Sequence, residues 1–157
     1  MTFEVRAMTH ADVPACVQII NHTIALGGST AHEEALEVQG FADHYCDEPE
    51  VSNVVLLNGQ IIGFQAAFEI EPGIYSIGSF TDQENPIKGA GTAMFAKTQM
   101  DCRTRGGTSI IAKITADNSA GLAYYSKMGF LPDAIWPADH TRPNGTVVDR
   151  IVKRFEL

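Results

Sequence analysis

Apolar and polar residues alternate at the start of the chain and then recur at helical spacing. Alternation over residues 3–8 predicts a first strand. Thr9 is a suitable N-cap for the helix that follows, and Pro14 is tolerated in the first turn of a helix. Gly27 and Gly28 end the helical pattern. The helix is predicted to bury one stripe of apolar residues: Val13, Cys16, Val17, Ile20 and Ile24.

Two apolar segments, residues 51–57 and 60–70, flank the dipeptide Asn58-Gly59. This dipeptide between apolar segments predicts a β-hairpin with a type I′ turn. Pro72-Gly73 predicts a second turn, and residues 74–81 again have the pattern of a strand. The three segments together predict an antiparallel, three-stranded meander.

The second half of the chain alternates between helix and strand patterns. Gly106-Gly107 ends a helix over residues 92–103, and an apolar strand over residues 108–114 follows. Because a crossover helix joins this strand to residues 74–81, the two strands are expected to be parallel. Two further helices are predicted: one over residues 34–47, which Gly40 weakens, and one that has Asn118 as its N-cap and ends before Gly129. A strand is predicted from Phe130, a loop over residues 136–142, and a last strand that ends at Phe155.

Length, composition and charge narrow the class of protein. At 157 residues the chain is long enough for one domain with a core of its own. A formal net charge of −8 argues against a general nucleic-acid binder, which would present a basic face. No apolar segment reaches the length of a membrane span, and the first residues lack the pattern of a signal peptide, so no membrane partner is expected.

The cysteines indicate a reducing environment. Cys16, Cys46 and Cys102 are widely spaced and odd in number, which favours reduced thiols and a cytoplasmic location over a disulfide framework. No spacing of cysteine and histidine matches a zinc site, so no metal is expected.

A glycine-containing turn is the first candidate for chemistry. Residues 85–92 read Asn-Pro-Ile-Lys-Gly-Ala-Gly-Thr and lead into a helical pattern. Backbone N–H groups in the first turn of a helix have no helical partner, and the helix dipole adds partial positive charge, so such a turn can hold a phosphate. Lys88 adds a full charge, and Gly89 and Gly91 have no Cβ to keep a pyrophosphate away. The pattern is neither a P-loop nor a dinucleotide fingerprint, and alone it is equally typical of a tight strand-to-helix turn.

A second motif follows one strand later. Residues 118–130 read Asn-Ser-Ala-Gly-Leu-Ala-Tyr-Tyr-Ser-Lys-Met-Gly-Phe. Together the two segments resemble the Gcn5-related N-acetyltransferase (GNAT) superfamily, which has an Arg/Gln-x-x-Gly-x-Gly/Ala turn and then Asn-x-x-Ala-x-x-x-Tyr-x-x-x-Gly-Phe. The residues that match these motifs are Gly89, Gly91, Asn118, Tyr125, Gly129 and Phe130.

The resemblance implies a fold and a cosubstrate. The fold would be a single α+β domain over residues 1–157, with a mixed, mostly antiparallel sheet of about seven strands, helices on both faces and a splayed pair of parallel strands. The cosubstrate would be acetyl-CoA, whose acetyl group an amine attacks directly. The residues expected to hold it are Phe80, Thr81, Lys88, Gly89, Ala90, Gly91, Thr92, Asn118 and Tyr125.

Two of these residues would also take part in catalysis. The main-chain N–H of Phe80 would stabilise the tetrahedral intermediate, and Tyr125 would protonate the leaving thiolate. The alternative for Tyr125 is a packed aromatic ring whose hydroxyl has a structural partner. The general base stays open among Glu69, Glu71, His22, His140 and bulk water.

The acceptor site is suggested by a narrower resemblance. Asn21-His22 and the loop after it resemble the phosphinothricin-acetyltransferase-like branch, where a similar loop precedes an acidic segment, here residues 32–34. The resemblance implies that Asn21 and His22 help to bind a small, amino-acid-like amine. The alternative is that both are simply the exposed last turn of a helix. Ser76 stands where that branch often has a glutamate and is the third expected acceptor-binding residue.

One departure from the family pattern keeps other functions open. Pro86 stands where the family has Arg or Gln, and it has neither a side-chain donor nor an N–H group. The alternatives are a non-catalytic module that binds acyl-CoA, a nucleotide-binding regulator, and an enzyme that acetylates protein N-termini or lysines. A homodimer is compatible with the resemblance.

Overall fold

The computed structural model describes residues 2–157, which form one seven-stranded sheet with helices on both of its faces. The strands are β1 (Phe3–Ala7), β2 (Val51–Leu57), β3 (Gln60–Glu71), β4 (Ile74–Thr81), β5 (Ser109–Thr115), β6 (Leu131–Thr141) and β7 (Val147–Glu156). The helices are α1 (Val13–Leu26), α2 (Val38–Phe41), α3 (Ala90–Thr104) and α4 (Ser119–Met128), with a 3-10 turn at His10–Asp12 and a π-helical segment at Ala42–Asp47. Within these described residues, no helix is both long enough and apolar enough to span a membrane.

The sheet has the strand order β1-β2-β3-β4-β5-β7-β6, and only β4 and β5 run parallel. The expected α+β fold is therefore confirmed. The predicted hairpin is confirmed as well, because Asn58 and Gly59 have φ angles of 52° and 78°, as a type I′ turn requires at both central residues.

Each face of the sheet buries its own apolar layer. Helices α1 and α2 cover one face, where Phe41 and Ile20 pack with Phe64. Helices α3 and α4 cover the other, where Phe95 and Ile110 are buried together. Alternate residues of a strand point to opposite faces, so the alternation read in the sequence is what supplies both layers.

Two sequence predictions of local structure are wrong. The second helix begins at Val38, not at residue 34, because the N–H of Leu36 donates to the Asn21 side chain at 2.8 Å and takes the preceding chain out of a helical path. Residues 136–141 belong to β6 and are not a loop. This strand lies at the sheet edge, exposed on both faces and irregular between Trp136 and His140, so it lacks the alternation that identifies a half-buried strand.

The parallel pair β4 and β5 opens into a cleft. Their register covers only residues 74–76 against 109–111, at the buried residues Tyr75 and Ile110. Beyond this point the two strands diverge, as the resemblance implied. Main-chain groups on the inner edges of both strands are thereby left without a partner strand and face a common space.

Candidate active site

A cavity of about 380 Å³ occupies the cleft between the diverging strands. The ends of β4 and β5 form its walls, together with the first turns of α3 and α4 and the loop over residues 29–32. Among the residues expected to hold acetyl-CoA, the structure brings Phe80, Thr81, Gly91, Asn118 and Tyr125 together in its lining.

The glycine turn has the geometry of an anion site. Gly89 is the N-cap of α3 with a φ of 95°, which a residue with a side chain rarely adopts. The Ala90 N–H donates to the Ile87 carbonyl at 3.4 Å, and the next N–H to bond back to the turn is that of Ala93, which donates to the Gly89 carbonyl at 3.0 Å. The N–H groups of Gly91 and Thr92 therefore precede the helical ladder and can donate to a ligand. Lys88 is exposed beside them.

Gly91 is a glycine for a different reason from the one expected. A Cβ at this position would lie 2.6 Å from the ring of Tyr124. The Tyr124 hydroxyl donates to the Gly91 carbonyl at 2.8 Å, so the ring is held against the helix by a hydrogen bond. The absent Cβ makes room for a side chain of α4, whereas the sequence suggested room for a pyrophosphate.

Gly91→Ala is expected to destabilise the fold by about 1–3 kcal/mol, because the added methyl would force the Tyr124 ring out of its packed position. The variant should also bind acetyl-CoA more weakly, since that ring lines the cavity. Urea unfolding and calorimetry measure the two effects. Gly40→Ala is the matched control: its Cβ would meet nothing within 4 Å and its φ is ordinary, so stability should be equal to wild type or higher. A Gly91→Ala protein as stable as wild type would contradict the packing argument.

The register of β4 against β3 decides which main-chain groups face the cleft. The N–H of Asp82 donates to a β3 carbonyl at 2.9 Å, and pairing is continuous over residues 75–81. Because alternate residues of an antiparallel strand bond to the same neighbour, Phe80 also directs its N–H toward β3. The expected oxyanion role of the Phe80 N–H is therefore wrong, although the Phe80 side chain lines the cavity. The N–H groups that face the cleft are those of Ser79 and Thr81.

Tyr125 lies at the end of a chain of partly buried hydrogen bonds. Its hydroxyl is 2.9 Å from Ser79 Oγ, which in turn accepts from the Gln65 amide at 2.8 Å. Burial raises the pKa of Tyr125 well above that of a free phenol, so the group stays protonated throughout the neutral range. The phenol can therefore act as a proton donor inside the cavity.

Tyr124, the neighbouring phenol, has a structural role. It donates its proton to the Gly91 carbonyl and accepts from the Gln65 amide at 3.1 Å. Burial raises its pKa to about 12. Because its one proton is already engaged, Tyr125 is the better candidate for acid catalysis.

Asn118 is confirmed as the N-cap of α4, because its side-chain oxygen accepts from the Gly121 N–H at 2.9 Å. Its amide group donates to the Ser29 carbonyl at 2.8 Å. The side chain therefore ties the loop over residues 29–32 to the start of α4. Its expected contact with acetyl-CoA stays a prediction, and both ends of the amide already have protein partners.

The three expected acceptor-binding residues lie outside the cavity lining. Asn21 makes two hydrogen bonds to the backbone of Leu36, which hold the loop after α1. His22 is half-buried near Glu84, 3.9 Å away. Ser76 lies in the paired part of β4 and β5, before the strands diverge. The proposed bases Glu69, Glu71, His22 and His140 are also absent from the lining.

Sequence reasoning missed several polar residues that line the cavity, and four of them bear on its chemistry. These are His32, Tyr45, Ser79 and Lys113. His32 and Tyr45 form a close pair, with Nε2 of the imidazole 2.6 Å from the phenol oxygen. Only His32 had a signal in the sequence, as part of the segment after the acceptor loop. The other three residues could be assigned to the cavity only from the register of the sheet and the packing of the π-helical segment.

A buried arginine fixes the loop that closes one side of the cavity. Arg142 donates to Asp117 Oδ1 at 2.7 Å, to Glu33 Oε2 at 3.1 Å and to Thr115 Oγ1 at 2.9 Å. His140 bonds the same Glu33 oxygen. Hydrogen bonds from Arg142 and Thr115 lower the pKa of Asp117, and those from His140 and Arg142 lower the pKa of Glu33. The loop, the end of β5 and the end of β6 are thereby joined in one network.

One group of possible metal ligands lies away from the cavity. Single ligand atoms of His10, Cys46 and Asp47 lie within 4.8 Å of one another. The sequence spacing of these residues did not suggest a site. Two of them already bond each other, since His10 Nε2 is 2.7 Å from an Asp47 oxygen.

Comparison with known proteins gives a consistent result. The model of the acetyltransferase (GNAT) family matches residues 18–130. A phosphinothricin acetyltransferase from Sinorhizobium meliloti in complex with acetyl-CoA superimposes with a TM-score of 0.89 at 20% identity, covering 100% of this chain and 89% of that one.

Two further solved structures have the same fold. An N-acetyltransferase from Staphylococcus aureus Mu50 has a TM-score of 0.88 at 15% identity, with 99% of both chains covered. A ribosomal-protein-alanine N-acetyltransferase from Brucella melitensis has a TM-score of 0.86 at 20% identity, covering 98% of this chain and 99% of that one. A search of curated proteins gave no match.

Proposed function

Because this chain belongs to the GNAT acetyltransferase family, we propose that it transfers the acetyl group of acetyl-CoA to the amine of a small, amino-acid-like molecule. The observation that carries the proposal is the cavity between β4 and β5. It combines main-chain donors at Ser79 and Thr81, the phenol of Tyr125 and the open first turn of α3. These are the groups that an acyl transfer from a diphosphate-bearing thioester needs.

Acetyl-CoA would bind with its diphosphate at the N–H groups of Gly91 and Thr92, and its thioester would lie between the diverging strands. N–H groups fixed in a strand suit this role, because they need no reorganisation when negative charge develops on the thioester oxygen. With Pro86 in the turn, Lys88 is its one cation within residues 85–92. Main-chain donors would therefore contribute most of the affinity for the diphosphate.

The transfer follows from this arrangement. A neutral amine attacks the thioester carbon, and the new C–N bond places a negative charge on the oxygen, which the N–H groups of Ser79 or Thr81 stabilise. The C–S bond then breaks, and Tyr125 gives its proton to the departing thiolate. Holding both reactants in one cavity contributes to the rate in addition, since attack becomes effectively unimolecular.

A small acceptor is supported by the fixed loop beside the cavity. Hydrogen bonds from Asn118 and Arg142 hold the loop at Ser29 and Thr30, on the acceptor side of the thioester. A loop held in this way limits the room for a protein chain and suits a compact amine.

The proposal is tested by incubating the protein with acetyl-CoA and a panel of amines, with release of coenzyme A and product mass as readouts. The panel contains phosphinothricin, methionine, putrescine, and peptides with a free N-terminus or an internal lysine. Turnover with an amino acid supports the proposal. Turnover with peptides alone would favour a protein acetyltransferase. Tight binding of acetyl-CoA without turnover on any amine would favour a non-catalytic module, the function that Pro86 favours.

We also propose that the protein forms a homodimer through β6 at the sheet edge. This edge strand exposes Leu131, Ile135 and Trp136, whose relative exposures are 69%, 61% and 40%. Large apolar side chains on a long edge strand are a common contact for a second copy.

Ile135→Lys is expected to convert the dimer to a monomer without unfolding it, because the side chain is exposed in the single chain and a charge would be buried in the dimer. Sedimentation velocity measures the change. Glu156→Lys, at the exposed end of β7, is the matched control and should leave the dimer intact. A wild-type protein that sediments as a monomer at high concentration would refute the dimer.

The three free cysteines, two of them buried, support the proposal of a reducing, cytoplasmic location. Fractionation of cells that express the protein tests it.

A further inference from the structure

The cavity lining holds one group able to accept a proton at neutral pH. Five titratable side chains line it within residues 2–157, and none is a carboxylate: His32, Tyr45, Lys113, Tyr124 and Tyr125. Lys113 is a cationic side chain, and burial raises the pKa values of the three phenols, so they stay protonated. An imidazole is the remaining group, and it titrates in the range that a general base requires.

We propose that His32 is the general base of the transfer. This rests on the proposed function and adds to it the group that receives the amine's proton. Nε2 of His32 is 2.6 Å from the Tyr45 hydroxyl, and no hydrogen bond to Nδ1 is found among the described residues. This contact fixes the orientation of the imidazole. The tautomer that serves as the base is the one in which Nε2 donates to Tyr45 and the lone pair of the neutral ring is at Nδ1.

The position of His32 suits contact with the acceptor. Its ring centroid lies 6.5 Å from that of Phe80, whose strand neighbours Ser79 and Thr81 supply the cleft-facing N–H groups. The ring belongs to the fixed loop that carries Ser29 and Thr30 in the same lining. An amine that attacks the thioester between these walls therefore has the imidazole beside it.

The proton balance of the step is closed. As the C–N bond forms, the nitrogen becomes positively charged and its proton passes to Nδ1 of His32, which becomes an imidazolium. The C–S bond breaks, and Tyr125 transfers its proton to the sulfur. The imidazolium then loses its proton to water and the phenolate of Tyr125 regains one. The products are the N-acetylated amine and coenzyme A, with no net proton taken up.

The surroundings of His32 favour its neutral form. Burial lowers the pKa of His32 below its ordinary 6.5, and His44 lowers it further. His44 and Tyr45 face it from the π-helical segment, and the His44 ring centroid is 6.4 Å away. Glu48 bonds His44 at 2.9 Å, and Glu33, next in the chain, is bonded to His140 and Arg142. Lys113, Tyr124 and Tyr125 are the remaining titratable groups of the cavity lining.

The test compares wild type, His32→Gln and His44→Gln, with acetyl-CoA and the amine of the panel that gives the highest kcat/KM. His32→Gln is expected to lower kcat by about 10²–10⁴-fold. It should also remove the acid inflection, which is the fall of kcat toward low pH that protonation of the base causes in wild type. The Kd for acetyl-CoA, measured by calorimetry, should stay within about twofold of wild type, because the diphosphate site is unchanged.

His44→Gln is the matched control, because its ring does not line the cavity and stacks on Phe68. It should keep the neutral-pH rate and move the acid inflection to higher pH, since His44 lowers the pKa of His32. This shift also tests the proposal should His32→Gln fail to fold. A wild-type kcat in folded His32→Gln, an unchanged inflection in that variant, or no shift in His44→Gln overturns the base assignment alone. A wild type that acetylates no amine overturns the proposed function and the base with it.

Discussion

Replacing Tyr125 with phenylalanine is expected to lower kcat by about 10²–10⁴-fold, because the leaving thiolate then loses its proton donor. The Tyr125 ring is 8% exposed, so phenylalanine should occupy the same space. Its hydroxyl bonds Ser79 at 2.9 Å, and the variant leaves that Oγ with its Gln65 partner. The KM for acetyl-CoA should therefore change little, and steady-state kinetics separate the two parameters.

Tyr75→Phe is the matched control for this variant. Tyr75 is buried on β4 in the same apolar layer as Tyr125, but it does not line the cavity. The same chemical change there should leave kcat at the wild-type value. If Tyr125→Phe keeps the wild-type rate at neutral pH, Tyr125 is a packing residue and the acid lies elsewhere. A fall in kcat of equal size in both variants would point to a general loss of structure.

Arg142→Met is expected to reduce the free energy of unfolding by about 1–3 kcal/mol, because it removes the hydrogen bonds of a buried guanidinium to Thr115, Thr30 and Asp117. The loss is smaller than for a fully buried ion pair, because both carboxylates keep contact with water. The loop that Arg142 holds at Thr30 should also loosen, so KM for the acceptor should rise more than KM for acetyl-CoA. Urea unfolding and steady-state kinetics measure these changes. Arg103→Met, on the exposed end of α3, should stay within about 0.5 kcal/mol of wild type.

The same network makes the stability of the wild type depend on acidic pH. The pKa values of Asp117 and Glu33 are lowered from 3.8 and 4.5 in the folded protein. A depressed pKa contributes stability that is complete above the unfolded value and is lost as pH falls through the folded one. The unfolding free energy of wild type should therefore fall below about pH 4.5, and that of Arg142→Met should fall less steeply. Parallel curves for the two proteins would show that Arg142 does not stabilise these carboxylates.

Two residues of the cavity lining could be identified from the sequence because each belongs to a local motif. Asn118 and Tyr125 are seven positions apart on one helix, and the spacing alone places both toward the same side. The sequence placed Gly89 in the turn before this helix, and the structure makes it the N-cap of α3, where a φ of 95° suits a glycine.

Other features of the site could not be read from the sequence, because they depend on contacts that no local pattern encodes. Whether Phe80 or Ser79 presents its N–H to the cleft depends on pairing with β3, and a shift of one residue reverses the answer. Asn21 and His22 were selected because they resemble a family motif. In the structure, the loop after α1 instead places His32 in the cavity lining, and Asn21 is bonded to Leu36.

The sequence by itself determined the elements whose causes are local, namely the hairpin at Asn58 and Gly59, the glycine turn and the helix capped by Asn118. Turn and cap conformations depend on a few adjacent residues, so their chemistry can be read directly. Only the tertiary structure decided which side chains share the cavity. Arg142 lies 109 positions from Glu33 along the chain, and the pairing of the edge strands brings them together. Contacts across such separations follow from the packing of the whole sheet, which a pattern within one segment does not contain.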